Sequence, residues 1–285
     1  MSEILQDEPN SATAAPERSG AQVEHSLKFD AVTRPEPCAV GNLSVDRFTF
    51  AQAMTWLTAA IMNHRSDRPI FIAGTNAFVS VLAEQNPEFR DAMHSATVNF
   101  ADGESIVLAS RLMKKPIPAR IPMGELMVAL CAFAANQQLR IYLLGGLPGA
   151  AESAAKKLKS LYPGLETAGT CCPPNGFELD IAKSAIVREE ILASRPDILF
   201  VALGCPKQEI WIHQNAGYLS ARAIMPVGAA FDTLAGLRVR APKFAQQTGT
   251  EWLFRLMMEP RRLWKRYLIG NFQFAALVLR QVMSR

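Results

Sequence analysis

The sequence predicts an α/β fold, a mostly parallel sheet with helices on both faces, followed by a C-terminal helical appendage. Short apolar runs recur between stretches of helical periodicity, the alternation expected of parallel strands joined by crossover helices. Several runs, such as Ile-Leu-Phe-Val-Ala-Leu at 198–203, lack the alternation of a half-exposed strand and suit strands covered on both faces. Beyond residue 248 the chain turns basic and aromatic.

Strands are expected at 70–73, 98–101, 140–144, 198–203 and 223–227. Helices are expected at 48–63, 87–95, 105–113, 125–136, 150–161 and 181–194. Asp46, Asn86 and Asp180 stand near helix starts as caps, and Pro87 suits a first helical position. Residues 1–38 are polar, without apolar periodicity, and are expected to form a disordered or weakly ordered arm. Residues 39–247 form the core, and 248–285 the appendage, which Pro260 should break into at least two helices.

A chain of 285 residues, 49% hydrophobic, can bury a large core. It has neither a run of spanning length nor the charged-then-apolar order of a secretory signal, so a cytoplasmic location is expected. Five cysteines without a CxxC pair argue against a disulfide framework and against a zinc site. Residues 250–285 hold seven Lys or Arg against two acidic residues, an excess above the +4 of the entire chain, which points to a local anionic partner. Interleaved Trp252, Phe254, Trp264, Tyr267, Phe272 and Phe274 suit either an anionic membrane surface or a cap docked on the core.

Five loops follow the expected strands and gather polar groups, where ligands bind in open α/β sheets. The first ends in Thr75 and Asn76, a hydroxyl and an amide that are also turn composition. In the second, Asp102-Gly103 places a carboxylate at a strand end, either to accept a proton from an attacking hydroxyl or to form a turn or cap. The third, Gly145-Gly-Leu-Pro-Gly149, opens a helix in a way that suits a phosphate, although Leu147 and Ala150 break the dinucleotide fingerprint. In the fourth, Gly204 and Pro206 precede Lys207, Gln208 and Glu209, and in the fifth Asp232 either contacts a sugar or caps a helix.

Together these segments resemble one family. NFADGES at 99–105, the arginine-led RIPMGEL at 120–126, YLLGGLPG at 142–149, FVALGCPKQEIW at 200–211, PVGAAFDTLAG at 226–236, RAPKF at 240–244 and EWLFRLMMEPRR at 251–262 are similar to the WecG/TagA/CpsF glycosyltransferases, in the family's order, from about residue 42 to 267. The resemblance implies a Rossmann-like domain and an inverting, metal-independent transfer of a sugar from a UDP-sugar to a polyprenyl-diphosphate-linked saccharide during surface or exopolysaccharide assembly. It places the base on Asp102 and substrate contacts on Asn76, Gln208 and Glu209, while Thr75, Arg120, Gly145, Gly204 and Asp232 are further substrate-binding candidates on the same loops and segments. Appendage cations Arg255, Arg262, Lys265 and Arg266 would serve the diphosphate. Neither metal nor cofactor is implied. The partners are the UDP-sugar donor, the lipid-linked acceptor, an anionic surface on the inner face of the cell membrane and, as an option, a second copy of the chain; nucleic acid is not among them.

Two departures stand out. Gly74-Thr75-Asn76 replaces the family's frequent Thr-Pro-Asn, which displaces the hydroxyl by one position, and Gly124-Glu125 replaces its usual Gly-Asp. The residues agree with the resemblance independently: no DxD-like pair stands at a strand end to hold a divalent ion, so a departing diphosphate would rely on arginines and helix N-termini. The rival readings are a nucleotide-cofactor oxidoreductase, disfavoured by the broken glycine pattern, and a non-catalytic membrane-surface scaffold.

Overall fold

Alternate side chains along the central strands go to opposite sides, so each strand is buried twice. The computed structural model describes residues 34–239, 241–242, 251–264 and 268–284, and the expected N-terminal arm lies outside them apart from residues 34–38. The chain opens with an antiparallel hairpin, β1 (Cys38–Val40) and β2 (Leu43–Val45), and helix α1 (Phe50–Met62). Then come β3 (Ile70–Thr75), α2 (Ala77–Gln85), α3 (Pro87–His94), β4 (Val98–Ala101), α4 (Glu104–Leu112), α5 (Met123–Asn136), β5 (Arg140–Gly145) and α6 (Ala150–Leu161). The core continues through β6 (Glu166–Cys171), α7 (Ile181–Ser194), β7 (Ile198–Ala202), α8 (Lys207–Asn215), β8 (Ala223–Pro226) and α9 (Ala230–Leu234). Among the described residues three helices follow: α10 (Glu251–Met258), α11 (Pro260–Trp264) and α12 (Gly270–Met283).

The six strands β3 to β8 form one parallel sheet in the order β4-β3-β8-β7-β5-β6. Ile70, Ile72, Ile141, Leu143, Ile198 and Phe200 pack on one face against α1, α5 and α6. Their neighbours Phe71, Ala73, Tyr142, Leu144, Leu199 and Val201 pack on the other against α2, α3, α7 and α8. This double burial produces the uninterrupted apolar runs. From β5 the chain crosses to β6 on one side, and from β7 to β8 on the other, so a crevice opens beyond the carboxyl ends of β5 and β7.

Asn86 and Asp180 cap helices as expected: Asn86 Oδ1 accepts from Phe89 N at 3.0 Å, and Asp180 Oδ1 from Ala182 N and Lys183 N at 3.1 Å. Asp46 does not. Thr49 caps α1 in a capping box with Gln52, whereas the buried Asp46 carboxylate accepts from Asn99 N at 2.8 Å and pairs with Arg34 at 2.6 Å. Strand β6 escapes the apolar-run criterion because ETAGTC is an edge strand with no fully buried residue. Within it, a Cβ on Gly169 would lie 2.6 Å from the Tyr142 ring, so the glycine makes room for that aromatic. Pro260 interrupts the C-terminal helices as expected, with α10 ending at Met258 and α11 beginning at Pro260.

The last helix returns to the core. Phe274, Leu277 and Val278 of α12 join a cluster with the hairpin and with Ala77 and Val81 of α2. Gln281 ties it to the hairpin backbone, accepting from Gly41 N at 2.9 Å and donating to Ala39 O at 3.0 Å.

Under the ends of β3 and β4 lies a closed polar network. Thr75, fully buried, donates through its hydroxyl to Asn99 Oδ1 at 2.8 Å, and Asn99 Nδ2 donates to Ser44 O at 2.9 Å. Replacing Thr75 by Val keeps the shape but leaves the Asn99 oxygen without this donor, so T75V should lose about 1–3 kcal/mol of stability in urea unfolding. A loss below about 0.5 kcal/mol would mean that the bond contributes little.

Candidate active site

The corner formed by β3 and β4 holds the carboxylate. Backbone bonds from Asp102 N to Thr75 O (2.8 Å) and from Ile121 N to Ala101 O (2.7 Å) continue the strand pairing to the point where the chains part. There Asn76 caps α2, its Oδ1 accepting from Val79 N at 3.2 Å, while its Nδ2 donates to Asp102 Oδ2 at 3.3 Å. The other Asp102 oxygen accepts from Met123 N, the first residue of α5, at 3.0 Å. Asp102 thus sits half-buried at a helix N-terminus, where an unsatisfied N–H and the helix dipole favour a carboxylate. Its two oxygens offer about four acceptor positions in all, so capacity remains for an incoming hydroxyl. Gly74 and Gly103 allow this close packing. A Cβ at 74 would lie 2.6 Å from Met123 Cγ, and one at 103 would lie 3.0 Å from Asn76 Cβ.

Thr75 takes no part in the cleft. Its hydroxyl points into the network beneath, which makes it a support for Asn76 and removes it from the expected substrate contacts.

Beyond β7 and β8, Gln208 acts as a clamp. Its Oε1 accepts from Gly204 N at 3.2 Å and Gly228 N at 3.1 Å, joining the two loops, and its Nε2 donates to Glu209 Oε1 at 2.8 Å. Both side chains are buried, at 5% and 4% exposure, so they shape the wall from within. Gly204 and Gly228 have φ of 79° and 55°, a region that favours glycine. Lys207 turns outward and pairs with Glu178 at 2.5 Å. Burial acts to raise the pKa of Glu178, but the Lys207 ammonium and nearby backbone N–H groups outweigh it and hold the carboxyl below its usual range.

The glycine loop after β5 closes the crevice. Gly145 approaches β7 so closely that a Cβ would stand 2.7 Å from Ala202 O, and Gly146 N donates to that carbonyl at 2.9 Å. Asp232, 5% exposed, accepts from Leu147 N at 2.9 Å through Oδ1 and pairs with Arg238 Nε at 3.0 Å through Oδ2. Of the two roles open to Asp232 in the sequence, the structure shows a third: it fastens this loop. The two halves meet where Gly124 of α5 faces Ala230 of α9, 4.0 Å from a Cβ placed on the glycine. Arg120 and Glu125, both half-buried, flank that contact in sequence.

Two thiols border the loop. Cys172 Sγ donates to Gly146 O at 3.3 Å, and burial raises its pKa; burial and then the neighbouring Glu190 push the Cys171 thiol up to about 11. Both remain protonated near neutral pH, unsuited to nucleophilic work.

Arg255 and Arg262 belong to α10 and α11, but their side chains lie outside the described residues, as do Lys265 and Arg266 entirely. Sequence reasoning missed Arg238 and Asn99. Asn99 stood inside the quoted NFADG segment, but nothing in its position signals that it faces inward.

The profile of the glycosyl transferase WecG/TagA/CpsF family matches residues 38–285. A Bacillus spizizenii protein named N-acetylglucosaminyldiphosphoundecaprenol N-acetyl-beta-D-mannosaminyltransferase is 32% identical over 198 residues, covering 70% of this chain and 74% of the relative. Proteins of the same name from Staphylococcus aureus strains MW2 and MRSA252 are 28% identical over 211 residues, covering 74% of this chain and 81% of the relatives. The chain belongs to the WecG/TagA/CpsF family of glycosyltransferases.

Proposed function

We propose that the chain transfers a sugar, with inversion, from a UDP-sugar to a polyprenyl-diphosphate-linked saccharide at the inner face of the cell membrane, in the assembly of a surface or exopolysaccharide. The observation that carries this reading is the Asp102 carboxylate, held by Asn76 and Met123 N at the carboxyl end of β4, on the sheet edge where the crevice opens. The names of the relatives favour the UDP-ManNAc member of the donor class that also includes UDP-ManNAcA and UDP-glucose, and they favour N-acetylglucosaminyl-diphospho-undecaprenol as acceptor.

In this mechanism the acceptor hydroxyl oxygen attacks C1 of the donor sugar from the face opposite the nucleotide. The bond from C1 to the phosphate oxygen breaks, UDP leaves with the bonding electrons, and the hydroxyl proton passes to Asp102. A single displacement inverts the anomeric centre. Gly146 N and Leu147 N are already bonded and Pro148 has no N–H, so it is the start of α6, where Gly149 provides no side-chain cap, that offers backbone N–H groups to the donor phosphates. The reading invokes no metal at the diphosphate. The developing diphosphate charge then falls to cations on the C-terminal helices, Arg255 and Arg262 with Lys265 and Arg266.

The C-terminal helices also support a membrane partner. Opposite its docked face, α12 exposes Phe272 (79%), Leu279 (60%) and Met283 (77%), and Leu268 precedes them at the same helical spacing. Among the described residues no helix is long and apolar enough to cross a bilayer, so this surface would lie on the membrane. Two copies joined by this face would bring two basic segments together, whereas an anionic bilayer attracts them.

D102N should keep UDP binding and thermal stability while losing about 10²–10⁴-fold in turnover with a UDP-sugar and lipid-linked acceptor. Retention of more than about a tenth of wild-type turnover would remove Asp102 as the base. F272S/L279S should bind anionic vesicles at least about tenfold more weakly in co-sedimentation while processing a short-chain, water-soluble acceptor at the wild-type rate. Unchanged vesicle binding would remove α12 from the membrane contact.

A further inference from the structure

The chain leaves the core at a residue held from three directions. Leu237 N and Arg238 N both donate to Asp232 O, at 2.9 and 3.1 Å, so the backbone of Arg238 is fixed to α9. Its side chain folds back onto the same residue, with Nε 3.0 Å from Asp232 Oδ2. One terminal nitrogen then reaches Glu259 Oε1 at 3.4 Å, across 21 residues of sequence, at the break between α10 and α11. Behind Asp232, the other carboxylate oxygen holds Leu147 N in the glycine loop.

These contacts form one line from the C-terminal helices to the loop of the crevice. Two carboxylates surround this guanidinium, so local charge does not favour its recruiting an anion of its own. Its five N–H donors in a fixed fork suit a different task, holding two separate acceptors at a set angle. Glu259 stands four residues after Arg255 and three before Arg262. Its seat therefore fixes the point where the helix carrying Arg255 ends and the one carrying Arg262 begins.

We infer that Arg238 is a positioning residue that joins Glu259 to Asp232 and thereby sets the C-terminal helices against the glycine loop. This rests on the proposed glycosyl transfer only for its kinetic consequence. Its structural consequence is independent of any activity.

The test uses the full chain with R238Q, E259Q and the double variant. Hydrogen exchange followed by mass spectrometry should show faster exchange at 145–149 and at 251–264 in R238Q, and at 251–264 alone in E259Q, with 70–76 and 98–102 unchanged in both. Turnover with UDP-sugar and lipid-linked acceptor should fall about tenfold in each single variant and no further in the double, the non-additivity expected of residues acting through one another. R238K, which keeps one charged contact without the fork, should recover part of the loss. Unchanged exchange at 251–264 in R238Q, or effects that multiply in the double variant, would overturn the inference. If wild type transfers no sugar while the exchange pattern appears as described, the proposed function fails and the positioning role stands.

Discussion

The parallel backbone ladder of the six-stranded sheet is the constraint from which the other features follow. Parallel strands cannot be joined by tight turns, so each must be followed by a crossover that covers a face. All six carboxyl ends consequently point the same way, and the helices that follow them begin at that edge with their unsatisfied N–H groups. The register of β5 on β7 carries this to atomic detail. Gly145 pairs with Ala202, and at the parting of the two strands only a glycine allows Gly146 N to reach the Ala202 carbonyl. The crevice is a consequence of strand order, and the loop geometry is a consequence of register.

Polar groups around this edge divide by what they already hold. Thr75, Gln208 and Asp232 are buried, and an unmatched polar group in such a place costs about 1–3 kcal/mol, so their hydrogen bonds go to neighbouring loops and side chains. They make the wall rigid. Asn76 and Asp102 are only half-buried, and each uses part of its capacity on a helix start. Such an arrangement keeps the Asp102 carboxylate in a fixed direction because the residues behind it have no alternative partners of equal quality.

The parallel core was legible because double burial forces continuous apolar runs, and the five strands with such runs were identified near their observed bounds. Strand β6 was not, since none of its residues is fully buried and ETAGTC carries no apolar run. Helix α2 was also hidden: Ala-Phe-Val-Ser-Val-Leu-Ala follows β3 after Asn76 alone, and its apolarity merges with that of the strand. At the site, residue types and loop positions could be read, but side-chain direction could not. Thr75 and Asn76 are adjacent and both polar, and the strand's period of two sends one into the network beneath and the other to the α2 start and Asp102. Asp46 and Thr49 show the same limit, because either could cap α1 until Asn99 N claims the carboxylate.

Magnitudes explain how weak contacts can order the C-terminal helices. Arg238 and Glu259 are 28% and 38% exposed, and pairs of that kind contribute about 0–1 kcal/mol, too little to hold a free tail. This segment has no free tail. Buried Ala241 fixes its entry, and α12, with Phe274, Leu277 and Val278 buried and two hydrogen bonds from Gln281, fixes its exit. Anchoring both ends removes most of the entropy that an isolated contact would have to overcome and raises the local concentration of Glu259 around Arg238. Under those conditions a single ion pair selects among positions the anchors already permit.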